Sequence, residues 1–278
     1  MDSAQKAEIL RRLHRGTEPL VMANVWDCAS ARIVEEAGFP AVATTSAGVA
    51  SSLGYPDGQH VSRAEMIEVV KRIAQCVSVP VSADLEAGYG DVEETTRTLV
   101  ASGAVGLNIE DMDKHGGREL VRLSEQIDRI HTVRHVSGEL GVGVVINART
   151  DYYLASIGDP AKRFDAACER LRTYIDAGAD CVFVPGITDE DLIGRFVEAL
   201  RFPLNVLVGP GTPPISRLKQ IGVARVSVGS GVARATMGLV RRIANELKTT
   251  GEYGLLQDGA VTYDEANQLF ERRAAQRG

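Results

Sequence analysis

The sequence predicts a (β/α)8 barrel, the TIM-barrel architecture, with additional C-terminal helices. Three observations point there. Eight short apolar runs are spread along the chain, each nearly continuous in Val, Ile, Leu and Ala, as strands covered on both faces should be. Helix-like segments lie between them, and several stop at Gly, the favoured residue past a helix end. No GxGxxG follows the first run, which weighs against the rival open, doubly wound sheet.

The elements follow in order. "MDSAQKAEILRRLHRG" reads as a charged amphipathic helix and lacks the apolar centre of a signal peptide. The first strand is "PLVMANV" (19–25), followed by the helical pattern "SARIVEEAG" (30–38). The second strand is "AVATTS" (41–46), and the helix after it is "SRAEMIEVVKRIAQCV" (62–77). "VPVSADL" (79–85) leads to "VEETTRTLVASG" (92–103), and "AVGLNIED" (104–111) to "SEQIDRIHTVRHVSGELG" (124–141). "GVVINART" (143–150) leads to "DPAKRFDAACERLRTYIDAG" (159–178). The last three strands are "CVFVPG" (181–186), "PLNVLV" (203–208) and "RVSVGS" (225–230), with "ISRLKQIG" (215–222) before the eighth.

Two further helices are expected in "MGLVRRIANELKTTGEYG" and "TYDEANQLFERRAAQ". No Pro/Ser-rich linker interrupts the chain earlier, so residues 1–240 are assigned to the barrel and 241–278 to a helical extension. That extension is expected to pack on the barrel or to swap with a neighbouring subunit.

Composition narrows the function. The chain has 278 residues, 44% hydrophobic and 24% charged, ordinary values for a globular protein. A net charge of −6 gives no reason to expect nucleic acid or an anionic membrane as partner. No apolar stretch reaches the roughly 18–20 residues that span a bilayer. Cys28, Cys76, Cys168 and Cys181 form no CxxC pair and sit in apolar surroundings, so they are expected reduced and buried in a cytoplasmic protein.

Barrel active sites lie at the C-terminal ends of the strands, so the polar residues there are the candidates. The third strand ends in Asp84 and Glu86, two apart and therefore expected on one face. Glu110 arrives from the fourth strand. Three carboxylates in a partly dry mouth repel one another unless a cation sits among them. Mg2+ suits this set because it keeps several waters and takes few carboxylates; no His/Cys cluster favours Zn2+. Arg149 ends the fifth strand beside them, either as their salt-bridge partner or as a bidentate clamp on a substrate anion. "TTSAGVA" follows the second strand with small residues whose backbone N–H groups can cradle a carboxylate.

The motifs "TTSAG", "GYPDG", "ADLEAGYGD", "GLNIED" and "INARTD", in this order over nearly the whole chain, resemble the isocitrate lyase/phosphoenolpyruvate mutase superfamily. The resemblance implies a Mg2+-dependent enzyme, with Mn2+ as a substitute ion, acting on a 2-oxo or 2-hydroxy carboxylate next to an enolate. It implies that Asp84, Glu86 and Glu110 form the metal shell, some through water. Ser46, Ala47 and Gly48 would be the carboxylate-binding turn, and Asp57 would stand near metal and substrate. Arg149 would contact the developing enolate oxygen, and Asn205 lies near a substrate-binding position. A homo-oligomer, dimer or tetramer, is also implied.

The stretch "EDMDKHGGRELVRLSEQ" (110–126) departs from the pattern. Isocitrate and methylisocitrate lyases carry a cysteine acid/base there, and this chain has none. Phosphoenolpyruvate mutases follow their loop lysine with an Asn-Ser pair; Lys114 is present here without it. Lys114 and His115 remain candidates for proton transfer. Superfamily members without the loop cysteine include oxaloacetate decarboxylases and hydrolases, so the resemblance implies C–C cleavage of an oxaloacetate-like acid giving a pyruvate-type product. The alternatives are a P–C bond mutase or hydrolase and a catalytically weak, oxo-acid-binding barrel.

Overall fold

The computed structural model describes residues 1–112 and 119–274. Its nine parallel strands are β1 (Leu20–Met22), β2 (Asn24–Val25), β3 (Val42–Thr44), β4 (Val81–Asp84), β5 (Gly106–Glu110), β6 (Val145–Arg149), β7 (Cys181–Phe183), β8 (Leu204–Leu207) and β9 (Arg225–Ser227). Their order is β1-β9-β8-β7-β6-β5-β4-β3-β2. The two ends of that order are consecutive in sequence. The expected first strand is broken at Ala23: β1 pairs with β9 and β2 with β3, and together they close the eight-stranded barrel.

Asn24 bridges that break with its side chain. Its Nδ2 donates to the Thr44 carbonyl at 2.8 Å, and its Oδ1 accepts from the N–H groups of Val228 and Gly229 at 3.0 and 2.8 Å.

Helices cover the outside because each carries one apolar stripe. They are α1 (Ser3–Leu13), α2 (Cys28–Glu36), α3 (Ser46–Ser52), α4 (Arg63–Cys76), α5 (Val92–Ser102), α6 (Leu123–Glu139), α7 (Arg163–Asp176), α8 (Glu190–Leu200), α9 (Ile215–Ile221), α10 (Gly231–Thr249) and α11 (Tyr263–Ala274). Asp27, Ser62, Asp91 and Asp189 cap the N-termini of α2, α4, α5 and α8, which fixes where each βα loop ends. α4 shows the rule in miniature: Met66, Val70, Ile73 and Ala74 recur at three- and four-residue spacing and all are buried against the barrel wall.

α1 plugs the barrel floor. Ala7 and Leu10 are fully buried among Leu20, Met22, Ala43, Val105 and Val145. Gly106 makes room for this plug, because a Cβ there would stand 2.7 Å from Leu10 Cδ2.

At the other end of the chain, α10 runs unbroken from 231 to 249, through the boundary drawn at residue 240, and packs on β2. α11 lies on α2, where Arg32 Nε donates to the Leu269 carbonyl at 2.7 Å. None of the four cysteines is in a disulfide. Cys168 and Cys181 are buried, but Cys28 and Cys76 are only half-buried: they sit on α2 and α4, the outer layer, and not in the wall. Among the described residues no helix is long and apolar enough to cross a membrane.

Candidate active site

Asp84 is the last residue of β4, and three groups of the neighbouring β3 unit hold it. Its N–H donates to Thr44 Oγ1 at 2.8 Å, and its Oδ2 accepts from Ser46 N–H at 3.1 Å and Ser46 Oγ at 2.8 Å. The other oxygen, Oδ1, is buried and has no hydrogen-bond partner. A buried, unsatisfied carboxylate oxygen costs free energy, and a cation is the group that would relieve it.

Glu86 reaches the same place by a different route from the expected one. The strand ends at Asp84, so strand alternation does not govern Glu86. The turn does: Glu86 has φ +49, Gly88 +89 and Tyr89 +56. A non-glycine residue in this region carries strain of about 1–3 kcal/mol, and such strain gathers at functional sites. Glu86 Oε1 accepts the N–H of Gln59, itself at φ +60, at 3.0 Å. That bond ties the exposed loop carrying Asp57 to the barrel mouth.

Glu110 ends β5 and is 2% exposed. Arg149, opposite it in the β5–β6 register, donates from Nη1 to Glu110 Oε2 at 2.7 Å. The rest of its guanidinium forks onto Asp151, with Nε to Oδ1 at 2.6 Å and Nη2 to Oδ2 at 3.0 Å.

Electrostatics shows that these groups converge. The Tyr89 hydroxyl is buried; burial first, then the charges of Glu86, Asp84 and Glu110, push its pKa well above the ordinary value. Burial alone would favour loss of the Arg149 proton, but the charges of Glu110, Asp151 and Asp84 outweigh it and raise that pKa. Burial, with Glu110 and Asp111 nearby, raises the Asp151 carboxyl even against the pull of Arg149.

Five buried carboxylates (Asp84, Glu86, Glu110, Asp111, Asp151) share this end of the barrel with two guanidiniums: Arg149 pairs with Glu110 and Asp151, and Arg170 with Asp111. Among the described residues no three His, Cys, Asp or Glu side chains are grouped so as to hold a metal ion by themselves. A hard ion that keeps most of its waters needs only one or two direct carboxylates, so an all-oxygen set around the unpartnered Asp84 Oδ1 fits Mg2+.

The turn after β3 is helical: α3 begins at Ser46, capped by Thr45. Ser46 spends both its N–H and its hydroxyl on Asp84. Gly48 admits no side chain, since a Cβ would lie 2.6 Å from Thr45 Cγ2 and 3.1 Å from Trp26 Cβ. Asn205 is fully buried in β8 and bonds Ser227 rather than the carboxylates. Ser227 leads to Arg225, and Arg225 to Asn108, a polar layer deeper in the barrel. Lys114 and His115 lie outside the described residues. A cleft of about 980 Å3 adjoins the site, with Gln59, Ala87 and Asp91 on one side and Glu119 and Arg122 on the other.

The sequence census missed Gln59 and Tyr89, and it missed the contacts of Asp111 and Asp151. "IED" and "RTD" placed the last two at strand ends; nothing in the linear pattern aims their side chains.

The family description "Phosphoenolpyruvate phosphomutase" matches residues 10–248. The chain belongs to the phosphoenolpyruvate mutase/isocitrate lyase superfamily. It is 36% identical over 222 residues to an uncharacterised protein of Mycobacterium tuberculosis (strain CDC 1551 / Oshkosh), covering 78% of this chain and 80% of that one. It is 29% identical to an oxaloacetate decarboxylase of Bradyrhizobium sp. (strain BTAi1 / ATCC BAA-1182), covering 80% and 77%. Among solved structures it resembles oxaloacetate acetylhydrolase in complex with the product oxalate, with 26% identity, a TM-score of 0.87 and coverage of 99% and 96%. Membership of the phosphoenolpyruvate mutase superfamily makes this protein an enzyme of a group that cleaves C–C bonds.

Proposed function

We propose that the protein catalyses Mg2+-dependent cleavage of a C–C bond in a short 2-oxo dicarboxylate, oxaloacetate or a close relative, with Mn2+ as a substitute ion. One observation carries the reading: Asp84 Oδ1 is buried and unpartnered among the carboxylates at the strand ends. Asp84, Glu86 and Glu110 would hold the ion, some of them through water, with Asp57 nearby. When bound, the ion would withdraw charge from the substrate oxygens as the enolate forms.

The chain's own residues do the rest. Arg149, fixed by Glu110 and Asp151, presents positive charge where the enolate oxygen develops. Ala47 and Gly48 orient the substrate carboxylate at the start of α3 while Ser46 holds Asp84, and Asn205 supports the pocket from below. For oxaloacetate the C3–C4 bond breaks, its electron pair becomes the enolate, and CO2 leaves. A proton then returns to C3, from Lys114 or His115, to give pyruvate. This demands no strong base, which suits a loop without cysteine.

The same reading places the enzyme in the cytoplasm as a homo-oligomer. Met237, Val240, Leu247, Tyr253 and Tyr263 leave apolar surface exposed on the C-terminal helices, which supports a subunit contact there.

The test is a panel of C4 and C5 2-oxo acids with Mg2+ or Mn2+, assayed for pyruvate, oxalate and, for phosphonopyruvate, phosphorus NMR. Oxaloacetate is expected to turn over, and Asp84→Ala to be inert. No turnover of any oxo acid with either ion, or turnover of phosphonopyruvate alone, would overturn the reading.

A further inference from the structure

Behind the carboxylate cluster runs a chain of buried polar contacts that the proposed chemistry does not use. Asp111 follows Glu110 at the end of β5, but its carboxylate reaches α7. Both of its oxygens are committed. Oδ2 accepts from Arg170 Nε at 2.7 Å and from the Tyr174 hydroxyl at 2.6 Å. Oδ1 accepts the N–H of Asp151 at 2.9 Å. Arg170 Nη2 donates to the Val121 carbonyl at 2.6 Å, and Val121 N–H returns to the Asp111 carbonyl at 2.9 Å. Asp111 and Tyr174 are fully buried, and Arg170 is 8% exposed.

We propose that Asp111, Arg170 and Tyr174 form a positioning unit that sets the orientation of the Arg149 guanidinium, acting through Asp151. The inference rests on the site reading given above.

The Arg149 fork needs the Asp151 carboxylate in one plane at one distance. That plane follows from the Asp151 backbone, and Asp111 Oδ1 holds the backbone by its N–H. Asp111 can do so only while its other oxygen is held from α7, by two donors at once. Stability alone does not call for this device. An ion pair in a desolvated site contributes little against a well-packed apolar pair, so its presence here points to placement. Placement matters because a displacement of about 1 Å at a reacting group costs on the order of 10²-fold. Burial and the charge of Asp111 raise the Tyr174 pKa, so its hydroxyl keeps the proton it donates.

A double-mutant cycle on oxalate binding tests this, because oxalate mimics the pyruvate enolate that Arg149 is read to contact. Calorimetry with Mg2+ present would compare the wild-type protein, Tyr174→Phe, Arg149→Lys and the double variant. Circular dichroism would confirm that each is folded at the titration temperature. Tyr174→Phe removes one O–H and keeps the ring; it is expected to weaken oxalate binding about tenfold, the lower end for an outer-shell partner. In the Arg149→Lys background, where the Asp151 fork no longer exists, the same change is expected to add nothing. Should Tyr174→Phe fail to fold, Arg170→Lys replaces it in the cycle.

An equal loss in both backgrounds, or no loss in either, would overturn the positioning role while leaving the site reading intact. Failure of the wild-type protein to bind oxalate with Mg2+ would overturn the site reading, and this inference with it.

Discussion

His14 gives the sharpest quantitative prediction. It ends α1 at the barrel floor and is 2% exposed. Its Nδ1 lies 2.8 Å from the Leu10 carbonyl; a carbonyl only accepts, so Nδ1 carries the proton. Nε2 is then the bare nitrogen, and it faces Arg225 Nη1 at 3.5 Å. Protonating it would set an imidazolium against a buried guanidinium. Burial and Arg225, with a smaller push from Arg11, lower the His14 pKa from 6.5 to about 4; Leu10 and Asp180 oppose them. The folded value lies below the ordinary one, so the unfolded chain binds more protons in this range. Stability is intact above pH 6.5 and falls as the pH drops toward 4. At 1.36 kcal/mol per pH unit, moving from pH 7.5 to pH 5 removes about 2 kcal/mol through this group alone. Urea unfolding of the wild-type protein and His14→Gln at both pH values isolates the term, since carboxylates titrate in both. The wild-type protein is expected to lose about 2 kcal/mol more than the variant on acidification. Equal losses would refute the argument.

Three further outcomes are expected. Removing divalent ions with a chelator should abolish oxaloacetate turnover, and restoring Mg2+ to about 100 times its Kd should raise Tm by roughly 5–10 °C, as cancelled repulsion in the acidic cluster demands. Arg149→Ala should lower kcat about 10²- to 10³-fold in a steady-state pyruvate assay, because the removed donor acts where charge develops. Gly48→Ala should cost about 1–3 kcal/mol in thermal unfolding and raise KM, because the new methyl meets Thr45 and Trp26.

The barrel was legible because buried strands have an unmistakable composition: "GLNI" and "VVIN" have no polar face to confuse the period. Asp84 and Glu110 were legible as strand-end carboxylates because each ends such a run. Other features were set by contacts that no local pattern encodes. "PLVMANV" reads as one strand, and only the differing partners of its two halves break it at Ala23. "SAGVASS" is too small and glycine-bearing to read as a helix, yet Thr45 caps one there. α10 starts at Gly231, ahead of the expected 237, because "GVARAT" looks like the tail of the last strand. The Glu86 carboxylate is held by the N–H of the distant Gln59, and Arg170 sits mid-helix, where nothing in its neighbours announces a buried carboxylate opposite.

Asn24 has a consequence for the whole ring. Ladder bonds of β1 with β9 and of β2 with β3 close the ring, and one carboxamide adds a side-chain clasp where the first strand breaks between them. Its donor side grips the residue just ahead of the Thr45–Gly48 turn, and its acceptor side grips the chain just ahead of α10. The strand-end rim and the start of α10 are therefore linked through one carboxamide, in addition to the packing of α10 on β2.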